Sequence, residues 1–233
     1  MRARVGFTLV ELLVSAVLLA LVAAGVAMVL STCLGAWRAG EDRANLMQQA
    51  EAITDLLAQD LRASFLGRRG FFVSADEGDG TYSAEFTTLS RRLLRLLYLA
   101  EREETPSQNL SDLAQVIYFT EPAETEGAYA LYRREICPPD SEPLGEEARD
   151  PEEAQRLSDQ VTSFQLRFLE VGGEDSWLDE WDSAEAAAQG QAGLPVVVEI
   201  AFTLSNGRRT FNALTRVPVV MAETVGPEAG PGD

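Results

Sequence analysis

The sequence predicts an α+β protein in which one long N-terminal helix packs on an antiparallel β-sheet. Residues 7 to about 65 show helical periodicity, first in an almost uniformly apolar stretch and then in an amphipathic one. After Gly70 the pattern changes to short alternating runs, which are typical of strands. An Asn206–Gly207 pair between two such runs predicts an antiparallel hairpin.

Composition limits the functions that are open to the chain. Its 233 residues are 46% hydrophobic, which is enough for one cored domain and an additional non-globular part. The net charge is −18, with 37 acidic residues against 19 basic ones, all of them arginine. Because such a surface repels polyanions, we expect no nucleic acid among its partners.

Catalysis is expected to be absent, because the usual catalytic side chains are missing. The chain has no histidine, which excludes Ser-His-Asp triads and His-based zinc sites. Cys33 and Cys137 are far apart and are expected to be unpaired thiols, although one disulfide is arithmetically possible. Two carboxylate clusters leave calcium binding as an alternative, but neither has the spacing of a calcium loop, so we predict no enzyme activity, cofactor or metal. The clusters are Asp76, Glu77 and Asp79, and Asp179, Glu180 and Asp182.

The N-terminal segment has the composition of a membrane anchor. Between Phe7 and Trp37 the only formally charged residue is Glu11. The uncharged run Leu12–Trp37 would form a helix of about 39 Å, which exceeds a hydrocarbon core of ~30 Å. Arg2 and Arg4 precede it, so the positive-inside rule predicts a cytoplasmic N-terminus and an external remainder.

Three processing schemes are compatible with this segment. A secretory signal could be cleaved near Ala24–Ala27, but the apolar run continues beyond that point. A lipoprotein signal could end at Cys33, although Thr32 fits that signal poorly. The third scheme uses the eight residues Gly6–Leu13, which read Gly-Phe-Thr-Leu-Val-Glu-Leu-Leu.

Those eight residues resemble the processing site of the type IV prepilin family throughout. The resemblance implies that a prepilin peptidase removes the leader 1–6 after Gly6 and that Phe7 is N-methylated. It also implies that Glu11 pairs with the new α-ammonium of Phe7 on a neighbouring subunit during assembly. A carboxylate costs about 2.5–3.5 kcal/mol at mid-bilayer, so the alternative is a Glu11 that snorkels to the interface.

The resemblance also implies a pilin-like fold, which agrees with the pattern after the membrane. Leu46, Ala50, Ile53, Leu57 and Leu61 recur at helical spacing, with Leu56 and Phe65 beside them, and Gly67 and Gly70 follow. We therefore divide the chain into five segments. They are the leader 1–6, a transmembrane helix 7–37, an amphipathic helical extension 38–67, a globular β-rich domain 68–225 and a disordered tail 226–233.

Within the globular domain the strands are predicted from alternation. Leu93–Ala100 is ambiguous between strand and helix, and the proline-rich stretch 137–154 is expected to be a solvated loop. Asn206–Gly207 is expected to form a two-residue primed turn. The predicted strands are Tyr82–Thr87, Gln115–Thr120, Tyr129–Arg134, Val161–Glu170, Val196–Leu204 and Thr210–Val217.

Within the pilin superfamily the chain is most similar to the minor pseudopilin J family of type II secretion systems. The similarity lies in Asp60-Leu61-Arg62, in Leu131-Tyr132-Arg133, in the Trp177-x-x-x-Trp181 spacing and in Leu194-Pro195.

This resemblance implies a structural subunit of the pseudopilus tip, which primes assembly and aids export of folded proteins. The implied partners are I-type and K-type pseudopilins, the major pseudopilin, the prepilin peptidase and secreted substrates. The implied location is the inner membrane, with one transmembrane helix and a periplasmic C-terminal domain. A minor pilin of a type IV pilus or of a DNA-uptake machine is the alternative.

Overall fold

The computed structural model describes residues 9–66, 70–78, 80–90, 111–170, 176–190 and 193–219. The chain divides into two compact units, residues 1–45 and 46–233. The first unit is helical from Leu9 onward. The second contains the last turns of the same helix and the described strands. The predicted α+β class is confirmed.

Helix α1 spans Leu9–Arg62 and ends earlier than the predicted end near Phe65. The amide of Ser64 donates to the carbonyl of Leu61, and Ser64 pairs with Thr88 as an isolated bridge. The amide of Phe65 then donates to the carbonyl of Thr87, 2.9 Å away. Hydrogen bonds to strand β2 therefore replace the helical ones, and Gly67 is not needed to stop the helix.

The apolar stripe predicted for the second half of α1 is confirmed. Leu46, Ala50, Ile53, Leu57 and Leu61 are all buried, as the spacing of three and four residues requires. They join one hydrophobic core with the inward-facing side chains of the sheet.

Nine strands form one antiparallel sheet in the order β7-β1-β2-β3-β4-β5-β8-β9, with β6 paired to β5. Strand β1 and the short strands β6 and β7 were not predicted. The bounds are β1 Phe72–Gly78, β2 Thr81–Leu89, β3 Leu113–Pro122, β4 Tyr129–Ile136, β5 Gln155–Leu169, β6 Trp177–Leu178, β7 Trp181–Asp182, β8 Val197–Ser205 and β9 Thr210–Pro218. Helix α2 covers Ser183–Ala188, and a 3₁₀ helix covers Gly145–Ala148.

The sheet curls back on itself through the segment that carries β6 and β7. Leu178 in β6 pairs with Phe168 in β5, whereas Trp181 in β7 pairs with Ser74 in β1. This short segment therefore bridges β5 to β1, which are separated by three strands in the main order of the sheet.

The stretch 137–154 is not the solvated loop that the sequence suggested. Ala148 is buried and packs with Ile117 and Phe119 in a second hydrophobic cluster. Two acceptors hold the stretch down: Glu85 receives the amides of Leu144 and Gly145, and Gln115 receives the amide of Asp140. The strands β2 and β3 are consequently buried on both faces.

The predicted hairpin of β8 and β9 is present, but its turn is longer than two residues. Ser205 pairs with Thr210, which leaves residues 206–209 in the loop. The side chain of Asn206 accepts hydrogen bonds from the amides of Arg208 and Arg209. Gly207 takes the left-handed conformation with φ +77°. The prediction of a two-residue primed turn is therefore wrong, because the Asn206 side chain closes a wider loop.

Other predicted strands lie inside the observed ones or overlap them closely. Tyr82–Thr87, Gln115–Thr120 and Tyr129–Arg134 fall within β2, β3 and β4. The ambiguous segment Leu93–Ala100 and the tail 226–233 lie outside the described residues.

Candidate functional site

The described part of the first unit is a helix whose apolar side chains are exposed. From Leu9 to Trp37 the large apolar residues have exposures between 50% and 80%. Such a surface requires lipid or other helices around it. The helix is long and apolar enough to cross a membrane, and it is the one described helix of which this is true.

Glu11 lies in the first turn of α1 and is exposed. The hydroxyl of Ser15, one turn later, donates to the Glu11 carbonyl at 2.7 Å. A carboxylate at the start of a helix is favoured by the helix dipole. The other predicted processing residues, Arg2, Arg4, Gly6 and Phe7, lie outside the described residues.

The second unit contains a buried polar cluster at the end of α1. Asp60 lies in the last turn of the helix and is 1% exposed. Its Oδ2 accepts a hydrogen bond from the Tyr118 hydroxyl at 2.6 Å and from the Arg133 Nε at 2.7 Å. The cluster thus ties the helix to β3 and β4 with charge-assisted bonds.

A second carboxylate completes the surroundings of Arg133. Its Nη1 donates to Glu135 on the same strand at 3.1 Å, and Glu135 also accepts a hydrogen bond from Ser90. The Nη2 of Arg133 is buried with no hydrogen-bond partner among the described residues. The backbone carbonyl of Asp60 accepts from Thr88 at 3.1 Å, so the helix end also contacts β2.

Electrostatics in the cluster favour one protonation state. Burial, and then the negative charge of Asp60, raise the pKa of the Tyr118 hydroxyl well above its usual value. Burial alone would lower the pKa of Arg133, but the hydrogen bond to Asp60 and its charge outweigh burial and raise it. The cluster therefore holds a neutral tyrosine between a carboxylate and a guanidinium.

The two tryptophans of the Trp-x-x-x-Trp spacing have different environments. Trp181 is 4% exposed, and its Nε1 donates to the Gly193 carbonyl at 3.1 Å. Its ring lies 6.1 Å from that of Phe168 between centroids. The amide of Trp181 donates to Ser74, so this residue fastens the bridging segment to both β1 and the core.

Trp177 instead lies on the outer face of the sheet between two arginines. The guanidinium carbons of Arg167 and Arg216 are 5.7 and 5.0 Å from the ring centroid, within the range of cation–π contacts. Glu199 is 4% exposed and pairs with both arginines. The row Arg167–Glu199–Arg216 runs across β5, β8 and β9.

The carboxylate clusters noted in the sequence have local roles. Asp182 caps α2 by accepting from the amides of Ala184 and Glu185, and Asp179 pairs with Arg167. Asp76 accepts from the amide of Gly78. The described residues contain no group of three or more side chains that could hold a metal ion. Cys33 and Cys137 both carry free thiols.

The sequence pattern missed the Asp60–Arg133 contact, although both residues belong to motifs that carried the family resemblance. The available signal was the position of Asp60, which lies next to Leu61 and beside the buried stripe. An acid at such a position usually needs a buried cationic partner.

Comparison with known families first defines a class. Residues 1–34 match the prokaryotic N-terminal methylation motif, which fits a helix that begins with exposed apolar residues and an early acid. The chain is therefore a prepilin-type protein.

The particular family follows from a longer match. Residues 28–214 match the family described as type II secretion system (T2SS), protein J. The match covers more than half of the chain, and the chain belongs to this family. No curated protein matches the chain.

Membership defines the general function. The protein is a minor pseudopilin of a type II secretion system, a family of structural subunits. Its partners include other pseudopilins of that system, and its single apolar helix is an inner-membrane anchor. The alternative of a type IV pilus or DNA-uptake subunit is not supported by this family match.

Proposed function

We propose that this subunit forms part of the pseudopilus tip, together with I-type and K-type pseudopilins, and that this complex primes addition of the major pseudopilin. The observation that carries the proposal is the uniform exposure of the apolar side chains from Leu9 to Trp37. A single helix of this kind buries its surface against lipid before assembly and against other pseudopilin helices afterwards.

Processing precedes assembly in this proposal. Prepilin peptidase removes residues 1–6 by cleavage after Gly6, and Phe7 becomes the N-methylated first residue. The support is the uninterrupted Gly6–Leu13 motif and the match to the methylation motif over residues 1–34. The mature chain then consists of a membrane helix 7–37, a helical extension 38–67, a globular domain 68–225 and a tail 226–233.

Glu11 guides the docking of one helix beside another. Cleavage creates an α-ammonium on Phe7, and the carboxylate of Glu11 on an adjacent subunit neutralises it. In an apolar environment such a pair is strongly favoured, because either charge alone is costly there. The position of Glu11 in the first described turn of α1 supports this role.

Orientation follows from the flanking residues. Arg2 and Arg4 remain in the cytoplasm with the leader, and the globular domain is periplasmic. Trp37, which is 76% exposed, lies next to Arg38 at the end of the uncharged run. Aromatic and basic residues at this place are typical of a membrane interface.

The function is structural, with no chemical step. The periplasmic domain contacts neighbouring pseudopilins and secreted proteins, and it needs no cofactor. The fixed position of the α1 end, tied through Asp60 to two strands, supports a rigid coupling of the domain to the last turns of its helix.

The test is co-expression of the full-length chain with I-type and K-type pseudopilins of the same system, followed by purification in detergent. A stable ternary complex is expected, and intact-mass analysis should find a chain that begins at N-methyl-Phe7. A stable complex with a pilus adhesin and no binding to the pseudopilins would contradict the tip assignment. A lipidated Cys33, or a start near Met28, would contradict the processing.

A further inference from the structure

The outer edge of β9 carries backbone groups that no described strand engages. Strand β9 is the last in the sheet and pairs only with β8 among the described residues. At the two ends of this pairing, the amide of Asn206 donates to Arg209 and the amide of Val219 donates to Val196. Bonded and non-bonded pairs alternate in an antiparallel ladder, so these ends determine the pattern between them. The residues that direct their N–H and C=O groups away from β8 are Thr210, Asn212, Leu214 and Arg216.

The same four residues expose their side chains on the outer face of the sheet. Along β9 the exposed residues alternate with partly or fully buried ones, and Phe211, Ala213 and Val217 face the core. Leu214 is 66% exposed, the highest value among the large apolar side chains described in residues 46–233. Its cross-strand neighbour on β8 is Ala201, which leaves the leucine without a covering side chain on that side.

The charge of this hairpin is opposite to that of the chain as a whole. From Ile200 to Val219 there is no acidic residue, and the charged residues are Arg208, Arg209 and Arg216, whereas the chain has a net charge of −18. All three arginines are exposed. Arg216 donates to the buried Glu199 at 2.8 Å and still exposes 62% of its side chain. The edge therefore attracts acidic groups on a protein that elsewhere repels them.

We propose that β9 binds an extended, acidic segment of another protein, which adds to the sheet as a further strand. Main-chain hydrogen bonds to the free edge would provide affinity, and alternate side chains would provide specificity. A residue opposite Leu214 is apolar, and a residue two positions along, opposite Arg216, is acidic. Trp177 stacks over Arg216 and limits the site at that end.

Neither a second copy of the chain nor a merely protected edge fits these residues as well. A second copy, paired through the same strand, would bring Arg208, Arg209 and Arg216 of both copies together, which is unfavourable. An edge that is only protected against association is usually blunted by proline or charge. Pro218 lies at the end of β9, and the middle of the strand presents Leu214 instead.

The test uses the full-length chain in detergent micelles and a fluorescent peptide. The peptide consists of Ser and Thr, except that its third, fifth and seventh residues are Glu, Val and Glu. A control peptide has Lys in place of both Glu residues. The first protein variant is Asn212→Pro, which removes an outward N–H and no hydrogen bond of the β8–β9 ladder. The second replaces Arg208, Arg209 and Arg216 by Gln, and Arg156→Gln is its control, because Arg156 is an exposed arginine on β5.

The expected result is binding of the Glu peptide that weakens by about tenfold or more in Asn212→Pro and in the triple variant. Binding should be unchanged in Arg156→Gln, weaker at high salt and absent for the Lys peptide. Melting temperatures close to that of the parent chain show that the variants are folded, and the triple variant keeps the test decisive if Asn212→Pro is unfolded.

Three results would overturn the proposal. The first is absence of binding, or binding that neither variant weakens. The second is a dimer of the chain that Asn212→Pro dissociates, since the occupant would then be a second copy. The third is binding only after residues 220–233 are removed, since that segment would then be the occupant. The peptide assay does not measure assembly with I-type and K-type pseudopilins, so failure of this proposal leaves the tip assignment intact.

Discussion

The carboxylate of Asp60 and the guanidinium of Arg133 lie 2.7 Å apart, and their side chains are 2% and 7% exposed. One residue is in the last turn of α1 and the other in the middle of β4, so this pair joins elements that are distant in the sequence. Buried ion pairs contribute little net stability compared with apolar residues, but loss of one partner is costly because the other charge stays buried. The pair is therefore best understood as a device that specifies where the helix ends on the sheet.

Arg133→Met is predicted to destabilise the globular unit by about 3–5 kcal/mol, because Asp60 would remain buried without its cation. The double variant Asp60→Leu with Arg133→Met should recover a large part of that loss. Urea unfolding, followed by tryptophan fluorescence, measures both. Glu153→Gln is the control, since Glu153 pairs with Arg134 while 61% exposed and should change stability by under about 1 kcal/mol. Equal losses for the single and double variants would contradict a specific Asp60–Arg133 coupling.

Stability is predicted to fall at alkaline pH through Tyr118 and Tyr82. Burial is the main cause that raises the pKa of both hydroxyls. In the unfolded chain a tyrosine ionises near pH 10, while the folded chain keeps these two neutral. Their contribution is thus complete below about pH 10 and is lost as pH rises towards the folded pKa values, by up to about 1.4 kcal/mol per pH unit for each group.

Urea midpoints at pH 8 and pH 11 test this dependence. The chain has no lysine, which removes the other abundant group that titrates in this range. Tyr118→Phe should be less stable at pH 8, because it loses the hydrogen bond to Asp60, and it should show a smaller drop between the two pH values. An unchanged drop in that variant would mean that Tyr118 ionises normally in the folded protein.

The two tryptophans are predicted to differ in their effect on stability. Trp181→Ala should cost about 3–5 kcal/mol, because a buried indole and its hydrogen bond to Gly193 are lost. Trp177→Ala should cost about 1 kcal/mol or less, because this ring makes only cation–π contacts on the outer face. Chemical unfolding followed by circular dichroism measures both variants. A larger loss for Trp177→Ala would contradict the assignment of Trp181 as the core residue of the motif.

Glu85 is predicted to hold the 137–154 stretch against the sheet. Its carboxylate accepts the amides of Leu144 and Gly145, at 2.7 and 3.2 Å. Glu85→Ala should therefore speed hydrogen exchange at these two amides by about tenfold or more, since their acceptor is removed. Glu142→Ala, at an exposed acid in the same stretch, is the control and should leave both rates unchanged. Unchanged exchange in Glu85→Ala would show that apolar packing alone fixes the stretch.

Periodicity predicted those parts of the fold in which burial follows a regular repeat. The stripe from Leu46 to Leu61 and the alternation in β5, β8 and β9 are of this kind, and they were found as predicted. Strand β1 was missed because its alternation is interrupted by acidic residues near Gly78. The segment 137–154 was misread because its anchors, Glu85 and Gln115, lie on other strands and look like ordinary surface residues in the sequence.

The candidate site divides in the same way. The membrane helix is visible in composition, because lipid selects apolar residues regardless of tertiary structure. The contact between Asp60 and Arg133 depends on which strand the helix end meets, and that information is contained only in the packed sheet. The motifs identified both residues, but nothing in their spacing indicated that they form a pair.

Glu11→Ala is predicted to leave processing intact and to impair assembly. The peptidase site Gly6–Phe7 is unchanged in this variant, so intact-mass analysis should still find a mature chain that begins at N-methyl-Phe7. Recovery with I-type and K-type pseudopilins should fall by about tenfold or more, because the α-ammonium of Phe7 on the neighbouring subunit loses its carboxylate in an apolar environment. Ser15→Ala is the control one turn along, since its hydroxyl bonds only to the Glu11 carbonyl and should be dispensable. Full recovery of the complex with Glu11→Ala would show that the charge pair is not needed, and unprocessed protein in that variant would place Glu11 in peptidase recognition instead.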